Sequence, residues 1–124
     1  MQKQLIFIVD DDVLIARTLA AILQESGYET EYFTHPLSLL EAAGTQPPDA
    51  LVSDYAMPEL SGIELARRIS ALCPTCQIFL LSATELSSIE TLAAKAPTPG
   101  FIFFRKPIQL VQLLDALADA LRTA

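Results

Sequence analysis

The 124-residue sequence is enough chain for one ordinary domain, and its 52% hydrophobic and 19% charged residues exclude a disordered tail. Fifteen acidic against eight basic residues give a formal charge of −7, the wrong sign for neutralising a nucleic-acid backbone. No apolar run approaches the ~20 residues of a spanning helix, and Leu5 to Val9 is too short for a signal-peptide core, so a single cytoplasmic domain over 1–124 is expected, without membrane or direct nucleic-acid contact.

Leu5-Ile6-Phe7-Ile8-Val9 is continuously apolar, the pattern of a strand buried on both faces of a parallel sheet, and it ends in Asp10-Asp11-Asp12. A helix near 12–26 follows, with Ile15, Leu19, Ile22 and Leu23 at helical spacing, Asp12 as its cap and Gly27 where it stops. Tyr28 to Phe33 alternates and carries two charges, which marks an edge strand. His35-Pro36 opens a helix near 36–43, with His35 as a cap or surface residue. Ala50-Leu51-Val52 is a third strand, running into Asp54, and Ser61-Gly62-Ile63-Glu64 is a capping box for a helix near 61–72.

Cys73-Pro74-Thr75-Cys76 has the spacing of a redox pair or half a zinc site. A redox pair gains its low thiol pKa at a helix start, whereas these cysteines end a helix. Zinc wants four ligands, and His35 alone cannot complete the set. The preferred reading is two small semi-buried hydrophobes beside a turn. Ile78-Phe79-Leu80-Leu81 is a fourth strand ending in Ser82, followed by a helix near 86–95. Phe101-Ile102-Phe103-Phe104 is a fifth, followed by Arg105-Lys106. Pro107 fits the first turn of a last helix, 108–122, striped by Leu110, Leu113, Leu114, Leu117 and Leu121.

Strand and helix alternating five times imply an α/β fold, a doubly wound five-stranded parallel sheet with five helices. Such sheets collect ligands and catalytic groups at the carboxyl ends of their strands, beside the switch point of strand order. Here those ends carry Asp10-Asp11-Asp12, Asp54, Ser82 and Arg105-Lys106. With the flavodoxin-like order 2-1-3-4-5 they are neighbours at roughly 4.8 Å per step, and Lys106 starts about 10 Å from Asp54, within reach of a lysine stem. Three carboxylates in one pocket repel unless a cation sits among them, and an oxygen-only donor set suits Mg²⁺ or Mn²⁺. With Lys106 as a second positive charge and Ser82 as a hydroxyl donor, the pocket suits phosphoryl transfer onto an Asp54 oxygen.

Ile8-Val9-Asp10-Asp11-Asp12, Ser53-Asp54-Tyr55-Ala56-Met57-Pro58 with Ser61-Gly62, Leu81-Ser82-Ala83 and Phe103-Phe104-Arg105-Lys106-Pro107 together resemble the receiver domain of bacterial two-component response regulators. The resemblance spans nearly the whole chain. It implies that Asp54 accepts phosphate from a phosphohistidine on a histidine kinase or phosphotransfer protein. It also implies that Asp11 binds Mg²⁺ directly, Asp10 through water and Ala56 through its backbone carbonyl. Lys106 would pair with Asp54 before transfer and with a phosphoryl oxygen after it. Ser82 and Phe103 would form the switch that remodels the face of the fourth helix, fifth strand and fifth helix, where a downstream effector or a second copy docks. Such a domain assists its own phosphorylation without being an enzyme in the usual sense, and either a stand-alone receiver or a piece of a longer regulator or hybrid kinase fits.

Three departures and three rivals frame this reading. Phe103 lacks the hydroxyl of the frequent Tyr, Lys95 to Gly100 carries two prolines that predict a short fourth helix, and the small Ala56 leaves the phosphoryl lifetime open. A phosphohydrolase of the haloacid dehalogenase type would make Asp10 the nucleophile, but its later acidic ligands would have to be Asp115 and Asp119, inside the last helix. A receiver-like adaptor working without phosphorylation typically loses an acid, the acceptor or the lysine, and none is lost here. Flavin binding wants a phosphate-cradling loop where this chain has three aspartates.

Overall fold

Five parallel strands, β1 (Leu5–Val9), β2 (Glu29–Phe33), β3 (Ala50–Asp54), β4 (Gln77–Ser82) and β5 (Phe101–Arg105), pair in the order β2-β1-β3-β4-β5. The computed structural model describes residues 3–57, 59–82 and 101–121. Four helices lie among them: α1 (Val13–Glu25), α2 (Pro36–Thr45), α3 (Gly62–Leu72) and α4 (Leu110–Ala120). The helix expected near 86–95 and the segment Lys95 to Gly100 fall outside the described residues, as do Pro58 and Ala83.

Strand periodicity builds two cores, one on each side of the sheet, because successive side chains point to opposite faces. Leu5, Phe7, Val9, Leu51, Ile78 and Leu80 meet Leu39 and Ala43 of α2 and Ile63, Leu65, Ala66 and Ile69 of α3. Ile6, Ile8, Ala50, Val52, Phe79 and Leu81 meet Ala16, Leu19, Ala20 and Leu23 of α1 and Leu113 and Leu117 of α4. Each fully buried Leu, Ile or Phe contributes about 1.5–3 kcal/mol of burial, so the central strands anchor the strand ends rigidly. Phe7 and Phe33 add an edge-to-face ring contact at 5.0 Å.

The edges follow from position. β2 alternates and is largely exposed, as its two glutamates require. β5 reads as apolar as the inner strands, yet its first four residues are only half-buried because a strand at the sheet margin has one neighbour. Turn chemistry ends α1 where the glycine was expected: Gly27 has φ +105, and the Tyr28 N–H donates to the Leu23 carbonyl at 3.2 Å.

One boundary needs correction. Pro107, expected in the first turn of the last helix, lies ahead of it after a cis Lys106–Pro107 peptide, and α4 begins at Leu110 behind Gln109. The Lys106 N–H still donates to the Ser82 carbonyl at 2.7 Å, so the chain is only leaving the sheet at that point. The residue before a proline also resists helical backbone.

Candidate functional site

The central strands deliver three polar groups to one end of the sheet. In β3, Val52 points to the α1 side, and two residues on Asp54 does the same, only 8% exposed. Asp10 follows Val9 at the end of β1 and is 2% exposed, with its N–H donating to the Phe33 carbonyl of β2 at 3.2 Å. Asp11 stands beside it, exposed to solvent. Asp12 is the cap of α1, its Oδ1 accepting from the Leu14 N–H at 3.0 Å, and its own N–H donates to Asp10 Oδ1 at 2.9 Å.

Lys106 closes the distance that strand spacing set. Its Nζ lies 3.1 Å from Asp54 Oδ1 and also 3.3 Å from Asp10 Oδ2, so one ammonium serves two carboxylates. Burial raises the Asp10 carboxyl above its ordinary range; the Asp12 N–H and the Lys106 charge pull it back without cancelling the rise, and the Asp54 charge adds to it. For Lys106 burial works downward, but the hydrogen bond and charge of Asp54, followed by the charge and hydrogen bond of Asp10, outweigh it and hold the ammonium above its usual value. Asp10, Asp11 and Asp54 each offer a carboxylate oxygen, all within 4.8 Å of one another. That oxygen-only donor set fits a hard divalent cation and contains no nitrogen or sulfur for a softer one.

The loop after Asp54 is shaped by backbone contacts. The Tyr55 N–H donates to the Leu81 carbonyl at 2.8 Å, and the Gly62 N–H to the Tyr55 carbonyl at 2.7 Å. A Cβ at Gly62 would run into the Asp54 carbonyl oxygen and stand 2.8 Å from the Tyr55 Cα, so only glycine lets α3 start this close to the acceptor. Ser61 caps α3, its Oγ accepting from the Glu64 N–H at 3.2 Å. Ser53, fully buried beside the acceptor, donates its hydroxyl to the Asp54 carbonyl at 2.9 Å.

The remaining expected residues sit as follows. Ser82 ends β4, buried and one strand from Asp54. Phe103 is half-buried in β5 against the α2–α3 core, and Ala56 lies in the loop two residues past the acceptor. Three features escaped the sequence reading: the Lys106 contact with Asp10, the close approach at Gly62, and a contact of His35 Nε2 with Glu59 Oε2 at 2.7 Å. A glycine directly behind a serine cap was the available signal for the second. The cysteines are free and buried; burial pushes the Cys73 thiol up and the Cys76 thiol up to about 12, the opposite of a reactive pair.

Comparison with known proteins points the same way. The family model for the response regulator receiver domain matches residues 6–118. The transcriptional regulatory protein CreB of Escherichia coli is 37% identical over 83 residues, which are 67% of this chain and 36% of CreB. The response regulator protein TmoT of Ectopseudomonas mendocina is 31% identical over 124 residues, 99% of this chain and 55% of TmoT. The chain therefore spans between about a third and about half the length of these two relatives. Among solved structures, the chemotaxis response regulator CheY4 of Vibrio cholerae superposes with a TM-score of 0.82 at 27% identity, over 97% of this chain and all of that one.

Proposed function

The chain belongs to the response regulator receiver domains of two-component systems, and from that membership we propose that it is a phosphoacceptor in which Asp54 takes a phosphoryl group from a phosphohistidine. The observation that carries the proposal is the single ammonium of Lys106 on both Asp54 and Asp10, with three carboxylates converging beside it.

In the transfer, an Asp54 oxygen forms a bond to phosphorus as the phosphorus–nitrogen bond to the donor imidazole breaks, and the imidazole departs with the bonding pair. Lys106 orients the Asp54 carboxylate beforehand and pairs with a phosphoryl oxygen afterwards. Asp11, Asp54 and the backbone carbonyl of Ala56, with Asp10 acting through water, are the groups that would hold Mg²⁺ or Mn²⁺, which when bound would supply positive charge to the phosphoryl oxygens. Ser82 donates its hydroxyl to the phosphoryl group, and Phe103 responds by changing its packing, which alters the β5–α4 face offered to an effector or a second copy. Val13, Leu14 and Ile15 on α1 and Leu110 and Val111 on α4 are large exposed apolar residues, and Leu14, Ile15 and Leu110 line one cavity with Lys106, an apolar rim for the donor protein. No described helix is long and apolar enough to cross a membrane, and with the net charge of −7 this is in keeping with a cytoplasmic protein partner.

Intact-mass measurement after incubation with a small phosphodonor and Mg²⁺ tests the proposal. One phosphoryl adduct is expected on the native chain, and none on Asp54→Asn or after chelation. Undiminished labelling of Asp54→Asn would overturn it.

A further inference from the structure

Side chains outside the phosphoryl chemistry join the acceptor loop to the turn between β2 and α2. His35 is the N-cap of α2, with extended backbone, and its Nδ1 accepts from the Leu37 N–H at 3.3 Å. Its Nε2 lies 2.7 Å from Glu59 Oε2. An imidazole nitrogen accepts through a lone pair and donates through a proton, so the two bonds together select the neutral ring protonated at Nε2. One residue thus caps a helix with one nitrogen and ties down a loop with the other.

What the tie connects gives it meaning. β2 ends at Phe33, whose carbonyl receives the Asp10 N–H, so the turn carrying His35 is registered against the strand end carrying Asp10. Glu59 belongs to the segment between Asp54 and α3. That segment is fastened at its ends through Tyr55 and Gly62, and Met57 and Leu60 rest on the α2–α3 core. The His35–Glu59 bond fastens it again near its middle, to the β2–α2 turn.

We propose that His35 and Glu59 are positioning residues that hold the described residues after the acceptor, Tyr55 to Met57 with Glu59 and Leu60, against the β2–α2 turn and thereby set the divalent-cation affinity of the acceptor site. The inference rests on the reading above, in which that segment supplies the Ala56 carbonyl to the cation. The two side chains are 42% and 57% exposed, so solvent screens the pair and the effect is a few-fold one.

The test is titration of the whole chain with Mn²⁺, followed by calorimetry. His35→Asn keeps a cap for α2 and the charge of Glu59 but cannot reach across to it. Glu59→Gln keeps an acceptor for Nε2–H without the charge, and Glu59→Ala removes both. We expect His35→Asn and Glu59→Ala each to weaken Mn²⁺ binding by about 2- to 5-fold, the size of one exposed pair. The double variant should be no weaker than either, and Glu59→Gln should stay within about twofold of the native chain. Since the chain has one histidine, imidazole ¹⁵N resonances report it unambiguously and should show the Nε2–H form. Native affinity in His35→Asn, additive losses in the double variant, or a ring protonated at Nδ1 would overturn the inference alone. A native chain that binds no Mn²⁺ would overturn the reading it rests on as well.

Discussion

Replacing Lys106 by Met keeps most of the stem and removes the charge that Asp54 and Asp10 share. At 3.1 and 3.3 Å each contact carries a gross attraction of about 5 kcal/mol at an effective dielectric of ~20. Most of that is offset by desolvating the ions, and further by the 26% of the lysine side chain that stays in solvent. Leaving two buried carboxylates without their cation should then cost about 2–3 kcal/mol, or a urea midpoint lower by about 1–2 M. The sign with pH is fixed by Asp10. Its folded carboxyl lies above the ordinary 3.8, so the native state holds the proton more tightly than the unfolded chain, and stability falls as pH rises through that window. Lys106 works against this rise, so in the variant Asp10 climbs further and the window widens upward. Urea melts from pH 4 to 8 with chelator present should show a stability difference that is small at the acid end and full at neutral pH. A difference that does not change across that range, or a variant as stable as the native chain at neutral pH, would refute this account of the site.

Gly62→Ala forces a methyl group against the Asp54 carbonyl and the Tyr55 Cα, and should destabilise by about 1–3 kcal/mol in urea melts while slowing phosphorylation of Asp54 in the mass assay. Asp12→Ala removes the cap of α1, at a cost of about 1 kcal/mol by denaturation, and Asp12→Asn should restore most of it. Cys73 and Cys76, buried and with thiols held above their usual range, should resist a disulfide reagent at pH 8 in the native chain and react once it is unfolded; rapid native labelling would contradict their reading as core residues.

Much of this was legible in the sequence because the informative signals are local. The run Leu5 to Val9 announces a strand buried on both faces, and the acids that follow it can only emerge at its carboxyl end. The same holds for Asp54 after Ala50-Leu51-Val52. Parity along a strand, combined with the strand order, then brings Asp10, Asp54 and Lys106 to one side of the sheet. What escaped was set by pairs distant in the chain. Nothing in His35-Pro36 or in Glu59 announces that the two meet, and the half-burial of β5 follows from its place at the margin, which its apolar run conceals. Pro107 misled because a proline at a first helical turn and one just beyond a strand look alike until the Lys106 N–H is seen bound to Ser82.

The sharing of Lys106 bears on why an acceptor of this kind would need a cation at all. Three carboxylates and one ammonium leave the pocket with two uncompensated negative charges, in a setting where burial already raises the Asp10 carboxyl. An incoming phosphoryl group is itself anionic, and Lys106 cannot turn to it without releasing charge on Asp54, on Asp10 or on both. Under the proposed function a divalent cation matches that deficit, which frees the ammonium to follow the phosphoryl oxygens. The lysine and the metal site are then coupled through Asp10, so Lys106→Met should tighten the dependence of stability on added Mg²⁺ even before any phosphate arrives. Melts of the variant with and without Mg²⁺ measure this directly: a larger Mg²⁺-induced gain than in the native chain supports the coupling, and an equal gain would show that Lys106 and the cation act on Asp10 independently.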